Sequence, residues 1–153
     1  MKIDIDISGL EETLKALEEC ASDRELRRVN KRIVERAQPG VHASMKKRTP
    51  VSADNSKSGR GLKGGRSSRP KHGHAKDNIP IEKVKFRGTE ASGEVGWDLS
   101  DISEYFYMKF IEWGTVYTPP RPFIEAAARE AERPLSEIAE QEYEAFLKMK
   151  LGK

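Results

Sequence analysis

Four groupings in the chain are of a type that does chemistry. His72-Gly73-His74 places two imidazoles at a spacing metal sites use. Lys71 and Lys76 flank it, carboxylates are few and no cysteine is near, so a divalent cation is repelled and no metal is expected. Cys20 is the only cysteine, which excludes an internal disulfide and fits a reducing compartment. Its place in a helical pattern marks a packed thiol, not a nucleophile. Glu104 and Glu112 stand two helical turns apart, but no neighbour prepares either for acid–base work. Glu104 reads as a surface or packing carboxylate; Glu112, set between Ile111 and Trp113, stays open. His42 reads as helix surface. The fourth grouping is basic: Lys57, Arg60, Lys63, Arg66, Arg69 and Lys71, then Lys76, opposed between residues 52 and 78 only by Asp54 and Asp77. A mobile cationic segment can follow a phosphate backbone without reading bases. It suits an acidic protein surface, or plain solvation, equally well. It holds no aromatic residue on which bases would stack. With no P-loop, G-x-S-x-G or H-E-x-x-H, neither an enzyme nor a cofactor is expected.

The elements that must position these residues come from a polar chain. Its 153 residues suit one domain, 1–153. Hydrophobic residues are 36% and charged residues 35%, against the usual ~45–50% and ~25%. The core should be small, with the rest solvated or ordered on assembly. The net charge of +3 is too mild to name a partner. No stretch is apolar enough to span a bilayer, and M-K-I-D-I-D-I-S-G lacks the apolar heart of a signal peptide, so a cytoplasm-like environment is expected.

Ile3, Ile5 and Ile7 alternate with Lys2, Asp4 and Asp6, the period of a half-buried strand. Ser8-Gly9-Leu10-Glu11 has the spacing of a helix start, and Leu10, Leu14 and Leu17 form a helical stripe. Asp23 is placed to cap a second helix with its stripe at Leu26, Val29, Ile33, Ala37, Val41 and Met45. Pro39-Gly40 should kink or break that helix, and Thr49-Pro50 should end it. Residues 51–78, rich in Ser, Gly and cations, show no periodicity and read as a long flexible loop. A hairpin follows: Val84 and Phe86 face one way and Lys83, Lys85 and Arg87 the other, then the turn-rich G-T-E-A-S-G leads to Val95 and Trp97. Residues 103–113 fit a helix or a strand; Phe106, Phe110 and Trp113 share one helical stripe, which favours a helix with Gly114 as the stop. Pro122 suits the first turn of a final helix with apolar positions Ile124, Ala127, Ala131, Leu135, Ile138 and Phe146, kinked at Pro134. The fold class is therefore α+β: a small sheet of N-terminal strand plus hairpin, packed by N-terminal helices and a long C-terminal helix. That last helix is acidic, Glu125, Glu130, Glu132, Glu137, Glu140, Glu142 and Glu144 outnumbering Arg129 and Arg133. A basic loop and an acidic helix can pair copies head to tail, which builds a ring if the rotation closes.

The most specific segment is Y-M-K-F-I-E-W-G-T-V-Y-T-P-P-R-P-F-I, Tyr107 to Ile124. Phe110 and Trp113 are expected to anchor it in the core. Gly114 allows a sharp turn, the prolines favour an extended path, and Phe123 re-enters the core. Such a stretch is either a rigid connection or a fixed projecting edge for subunit contact. It resembles the small tail-component or head–tail joining proteins of long-tailed bacteriophages and prophages, the gp-ten-like tail components. Their pattern is an aromatic-rich Y…(F/V)-x-E-(F/W/Y)-G-T, a short linker, then P-(F/Y)-(I/L/M)-x-x-A. It matches here at Tyr107, Phe110, Glu112, Trp113, Gly114 and Thr115, then Pro122, Phe123, Ile124 and Ala127, with Pro120 in the linker. G-L-E-E-T-L-K-A-L and Lys47-Arg48-Thr49-Pro50 followed by Gly61-Leu62-Lys63 resemble the family more weakly. The segment after Pro50 departs from it, being longer and more basic and lacking Thr-Gly before the leucine. The resemblance implies a small α+β unit and structural work in a virion: a neck or tail-completion subunit forming a homo-oligomeric ring, a hexamer, at the head-proximal end of the tail. Its partners would be copies of itself and other neck and tail proteins, assembled in the bacterial cytoplasm, with DNA passing the lumen near the basic loop and no membrane contact. The competing expectation is a small basic nucleic-acid-binding protein.

Overall fold

A computed structural model describes residues 2–5, 15, 17, 19–51, 74–103 and 105–152. Its elements are β1 (Lys2–Ile5), α1 (Asp23–Arg48), a single 3₁₀ turn (Ala75–Asp77), β2 (Lys85–Arg87), β3 (Glu90–Gly96), α2 (Met108–Trp113) and α3 (Phe123–Leu151). The fold is α+β, as the patterning implies. Three antiparallel strands form a sheet in the order β1-β3-β2. Of the expected first helix, Lys15, Leu17, Glu19 and Cys20 are helical and Leu17 is fully buried; Leu10 and Leu14 lie outside the described residues. Ile7 also lies outside them.

Alternation along β1 and β3 sorts the sheet into two faces. Ile3 opposite Val95 and Ile5 opposite Gly93 point at the helices, whereas Lys2 opposite Gly96 and Asp4 opposite Glu94 point away. A residue with one apolar and one polar neighbour needs such a register, because a slip of one would exchange the faces. The hairpin turn is shorter than expected. It is the two residues Gly88-Thr89, with Gly88 at φ 63°, and β3 starts at Glu90 because Ala91 already packs against the core. The apolar side of β2 is also weaker than expected: Phe86 is partly exposed and is covered by the Arg27 guanidinium, 4.6 Å from its ring centroid.

All six stripe positions of α1, Leu26 through Met45, are buried. The N-cap lies one residue before the expected one. Ser22 is the N-cap, and the Glu25 carboxylate accepts its N–H at 3.0 Å and its hydroxyl at 2.9 Å, while Asp23 is the first helical residue. The helix is not broken at Pro39-Gly40, nor α3 at Pro134, and both prolines are solvent-exposed. Each removes one helical donor, but on an exposed face water can serve the carbonyl left over. Gly40 and Pro134 line the same shallow groove of about 60 Å³ between the helices.

Helix α1 lies against β3 as closely as a glycine permits. A Cβ on Gly93 would fall 2.5 Å from Val34 Cγ1 and 2.8 Å from Gln38 Nε2. Two buried amides of α1 fasten the contact: Gln38 Nε2 donates to the Glu82 carbonyl (2.8 Å) and Asn30 Nδ2 to the Thr89 carbonyl (2.9 Å). Asn30 also accepts the Tyr143 hydroxyl at 2.7 Å, and burial pushes that phenol up to about 12. Helix α3 runs antiparallel to α1, since Glu130 meets Lys47 and Arg48, Glu142 meets Arg32 and Arg36, and Lys150 meets Glu25. Apolar side chains gather in two clusters. One lies under the sheet around Ile5, Val41, Met45, Trp97, Met108 and Phe123; the other lies further along the helix pair around Leu17, Leu26, Ile33, Tyr143 and Phe146. The expected loop 51–78 falls mostly outside the described residues; its last part is the 3₁₀ turn, pinned by buried Ala75 and Ile79 and by a Lys46–Asp77 ion pair of 3.1 Å.

Candidate interaction surface

Helix α2 is only six residues long, so neighbouring elements fix its orientation. Tyr105, Met108 and Glu112 face inward, at 6%, 1% and 7% exposure. That reverses the expected anchoring: Phe110 and Trp113 are 46% and 58% exposed and line the outer side. Both stripes of this helix contain large apolar residues, and Met108 with Ile111 fits the space beneath the sheet. Phe106 stands edge-on to Phe110 with centroids 6.3 Å apart, and Lys109 links Phe110 (5.6 Å from its ring) to the Leu99 carbonyl (3.3 Å). Leu99, Phe110 and Trp113 therefore form an uncovered apolar strip.

Glu112 owes its burial to the helix that follows. Its Oε2 accepts the Ile124 N–H at 2.9 Å and its Oε1 the Glu125 N–H at 3.2 Å. The N-cap of α3 is Pro122, which has no side-chain acceptor, so a carboxylate from the preceding helix takes that role and meets the positive end of the helix dipole. Glu112 is thus a structural clasp. Gly114 is required for two reasons. Its φ of 75° with ψ of −179° is a region almost only glycine enters, and a Cβ would lie 2.7 Å from both the Thr118 carbonyl oxygen and the Pro120 nitrogen. The chain then doubles back: Thr115 and Thr118 exchange backbone hydrogen bonds of 2.8 and 3.3 Å, and the Thr115 hydroxyl accepts the Tyr117 and Thr118 N–H groups. This turn holds Val116 and Tyr117 out at 95% and 96% exposure. The Arg121 N–H donates to the Ile111 carbonyl at 2.8 Å, closing the loop, and Phe123 enters the core as expected. The projecting edge expected for this stretch is thus a two-residue tip, framed by the glycine and prolines on either side.

The acidic face of α3 is mostly matched within the chain. Helix α1 carries nine Lys and Arg against three acids, a bias countable in the sequence but overlooked beside the loop. Glu142, buried, accepts from Arg36 at 2.5 Å and Arg32 at 3.4 Å. Glu130 takes Lys47 and Arg48 at 3.0 and 3.1 Å, which lower its pKa in that order. Glu125, Glu137 and Glu144 pair with Arg129, Arg133 and Lys148 one turn away. Opposite charges on the two helices therefore face each other at Glu130 and Glu142, while Glu125, Glu137 and Glu144 are paired within α3.

The outer sheet face carries a second ionic group. Lys2 Nζ contacts Glu82, Glu94 (2.9 Å) and Asp98 (3.2 Å); Lys85 adds 2.7 Å to Glu82 and 3.1 Å to Glu94. Lys2 and then Lys85 hold the Glu82 carboxyl down to about 2, and Glu82 foremost raises Lys2. Asp98 is lowered by the Ser100 N–H and then by Lys2. Lys2, Glu82 and Asp98 of this group, with Asp101, line a cleft of about 540 Å³ together with Pro80, Gly96, Trp97 and Tyr105. Three separated segments build it, which is why no local pattern announces it.

The remaining candidates scatter. Lys57, Arg60, Lys63, Arg66, Arg69, Lys71, His72 and Glu104 lie outside the described residues. His74 caps the 3₁₀ turn, His42 is half-buried on α1, and the Cys20 thiol donates to the Leu17 carbonyl at 3.6 Å. Thr115, Pro120 and Pro122 are exposed around the tip. Among the described residues no three His, Cys, Asp or Glu side chains converge as a metal site requires, and no helix is long and apolar enough to cross a membrane. Comparison of the chain with models of known families, with curated proteins and with solved structures returns no match.

Proposed function

We propose that this protein is a structural subunit that works by fitting against other polypeptides, as a neck or tail-completion component of a tailed phage or prophage assembling into a ring. The observation that carries the reading is the geometry of the stretch that resembles the tail components. The residues that carry the resemblance form one bracket: Glu112 clasps α3, Gly114 permits the reversal, and the bracket projects Val116 and Tyr117 while leaving Phe110 and Trp113 uncovered. Large apolar side chains exposed on a fixed frame commonly mark a site of protein–protein contact. A tip held by paired backbone hydrogen bonds and two following prolines loses little conformational freedom on docking, which favours assembly.

The test is the state of the purified full chain, by size-exclusion chromatography with light scattering and by electron microscopy, alone and with phage tails lacking their completion protein. Rings, or incorporation into tails, are expected. A chain that stays monomeric in both settings, or that binds DNA as a monomer with a steep salt dependence, overturns the reading in favour of a nucleic-acid-binding protein. Neutralising Arg60, Lys63, Arg66 and Arg69 together should weaken ring formation or attachment; unchanged assembly and infectivity would remove the basic loop from the account.

A further inference from the structure

We propose that the Val116–Tyr117 tip of one copy seats in the Trp97–Tyr105 cleft of the next, with Arg121 against Asp98 and Asp101. The inference rests on the ring reading and names the two surfaces that would meet. The tip is almost wholly exposed in its own chain, so it does not occupy its own cleft. The cleft, about 540 Å³, has an apolar floor of Pro80, Trp97 and Tyr105, of a size and kind suited to an aromatic side chain.

Charge decides the occupant. Glu82, Asp98 and Asp101 line the cleft against Lys2, so among its described lining residues the acids outnumber the cation. Beside the tip stands Arg121, exposed and carried on a backbone fixed by its bond to Ile111. Of the two acids nearest in sequence, Glu125 is paired with Arg129 and Glu112 is turned inward onto α3. Tip and cleft are thus opposite in sign and complementary in relief, and every copy carries one of each. Contacts of that heterologous kind propagate from copy to copy and close when the rotation allows. Phe110 and Trp113 lie between cleft and tip along the chain, with Leu99 within the cleft segment, and would be partly covered.

Reciprocal charge reversal tests it. Arg121→Glu alone sets a negative tip against a negative cleft; Asp98→Arg with Asp101→Arg sets a positive cleft against a positive tip. Each full-length variant should associate at least tenfold more weakly than the parent by light scattering. An equimolar mixture should recover association, since both junctions in an alternating assembly are then attractive. Tyr117→Ser guards against misfolding of the charge variants, because that side chain is exposed, and it should weaken association by a similar factor while melting as the parent does. If the parent forms rings and Tyr117→Ser and Arg121→Glu form them equally well, the tip–cleft contact is overturned and the ring reading stands. If the variants assemble normally but fail to join tails, the tip meets another protein, which also overturns it. A parent that never associates, alone or on tails, sinks both.

Discussion

The inward and outward sides of residues 105–123 are built from the same residue types and behave as opposites. Inward, Tyr105, Met108 and Phe123 are enclosed and a carboxylate is buried among them with both oxygens engaged. Outward, Phe110, Trp113, Val116 and Tyr117 stand in solvent. Hydrophobicity alone does not separate them. What does is a set of directional bonds: Glu112 to the start of α3, Arg121 to Ile111, and Thr115 to Thr118. These fix the rotation of a helix too short to set its own. Apolar groups left outside a frame so well defined are a feature of the design, whereas loose apolar loops would collapse.

The contrast can be broken in graded ways. The largest effect should come from Met108→Ala, which empties an enclosed site and should cost about 2–5 kcal/mol. Trp113→Ala, more than half exposed, should cost clearly less, and equal losses on denaturant titration would erase the distinction between the sides. Next comes Gly114→Ala. Its backbone region carries a strain of about 1–3 kcal/mol for other residues, before the contacts with Thr118 and Pro120 are counted; a thermal midpoint like that of the parent would mean the turn relaxes at no cost. Glu112→Gln keeps one acceptor for the two N–H groups and loses the charge at the helix start, so a loss of about 1–2 kcal/mol is expected. Hydrogen exchange should quicken first at Ile124 and Glu125; uniform quickening would deny the clasp.

Acid sharpens the same contrast beside the cleft. Glu82 titrates at about 2 in the folded chain against an ordinary 4.5, so its stabilising contribution is present above the ordinary value and drains away as the pH falls towards 2. Lys2 is raised, so its share is full below its ordinary 10.5 and is lost only above its raised value. Melting temperature should therefore fall between pH 5 and pH 2, and less steeply in Lys2→Met; parallel acid limbs would refute the role of that network. The smallest effect belongs to Tyr117→Ser, within about 0.5 kcal/mol of the parent in stability, and a larger loss would show that the tip supports its own fold.

How much of this was legible depended on the range of the causes. The α1 stripe, the alternation of β1 and the re-entry of Phe123 follow from local periodicity and were readable from spacing alone. The orientation of α2 was not, since Phe110 and Met108 are equally apolar and six residues give no periodicity to decide between them. The N-cap was missed by one position, because Ser22 and Asp23 are both good caps and only the reach of Glu25 selects the serine. Glu112 looked anomalous between Ile111 and Trp113, and the anomaly was real, but its cause lay twelve residues on. The matching of α1 cations to α3 acids needed the antiparallel pairing, which no local pattern supplies.

Helix α3 has 29 residues and so extends on the order of 40 Å. It begins a few residues after the tip and ends beside the start of α1, where Lys150 meets Glu25 at 2.6 Å. The molecule thus contains a ready-made ruler. Copies labelled singly, one population with a donor at position 117 and another with an acceptor at position 149, can exchange energy only between subunits, so transfer in the mixture would report the spacing of neighbouring copies directly.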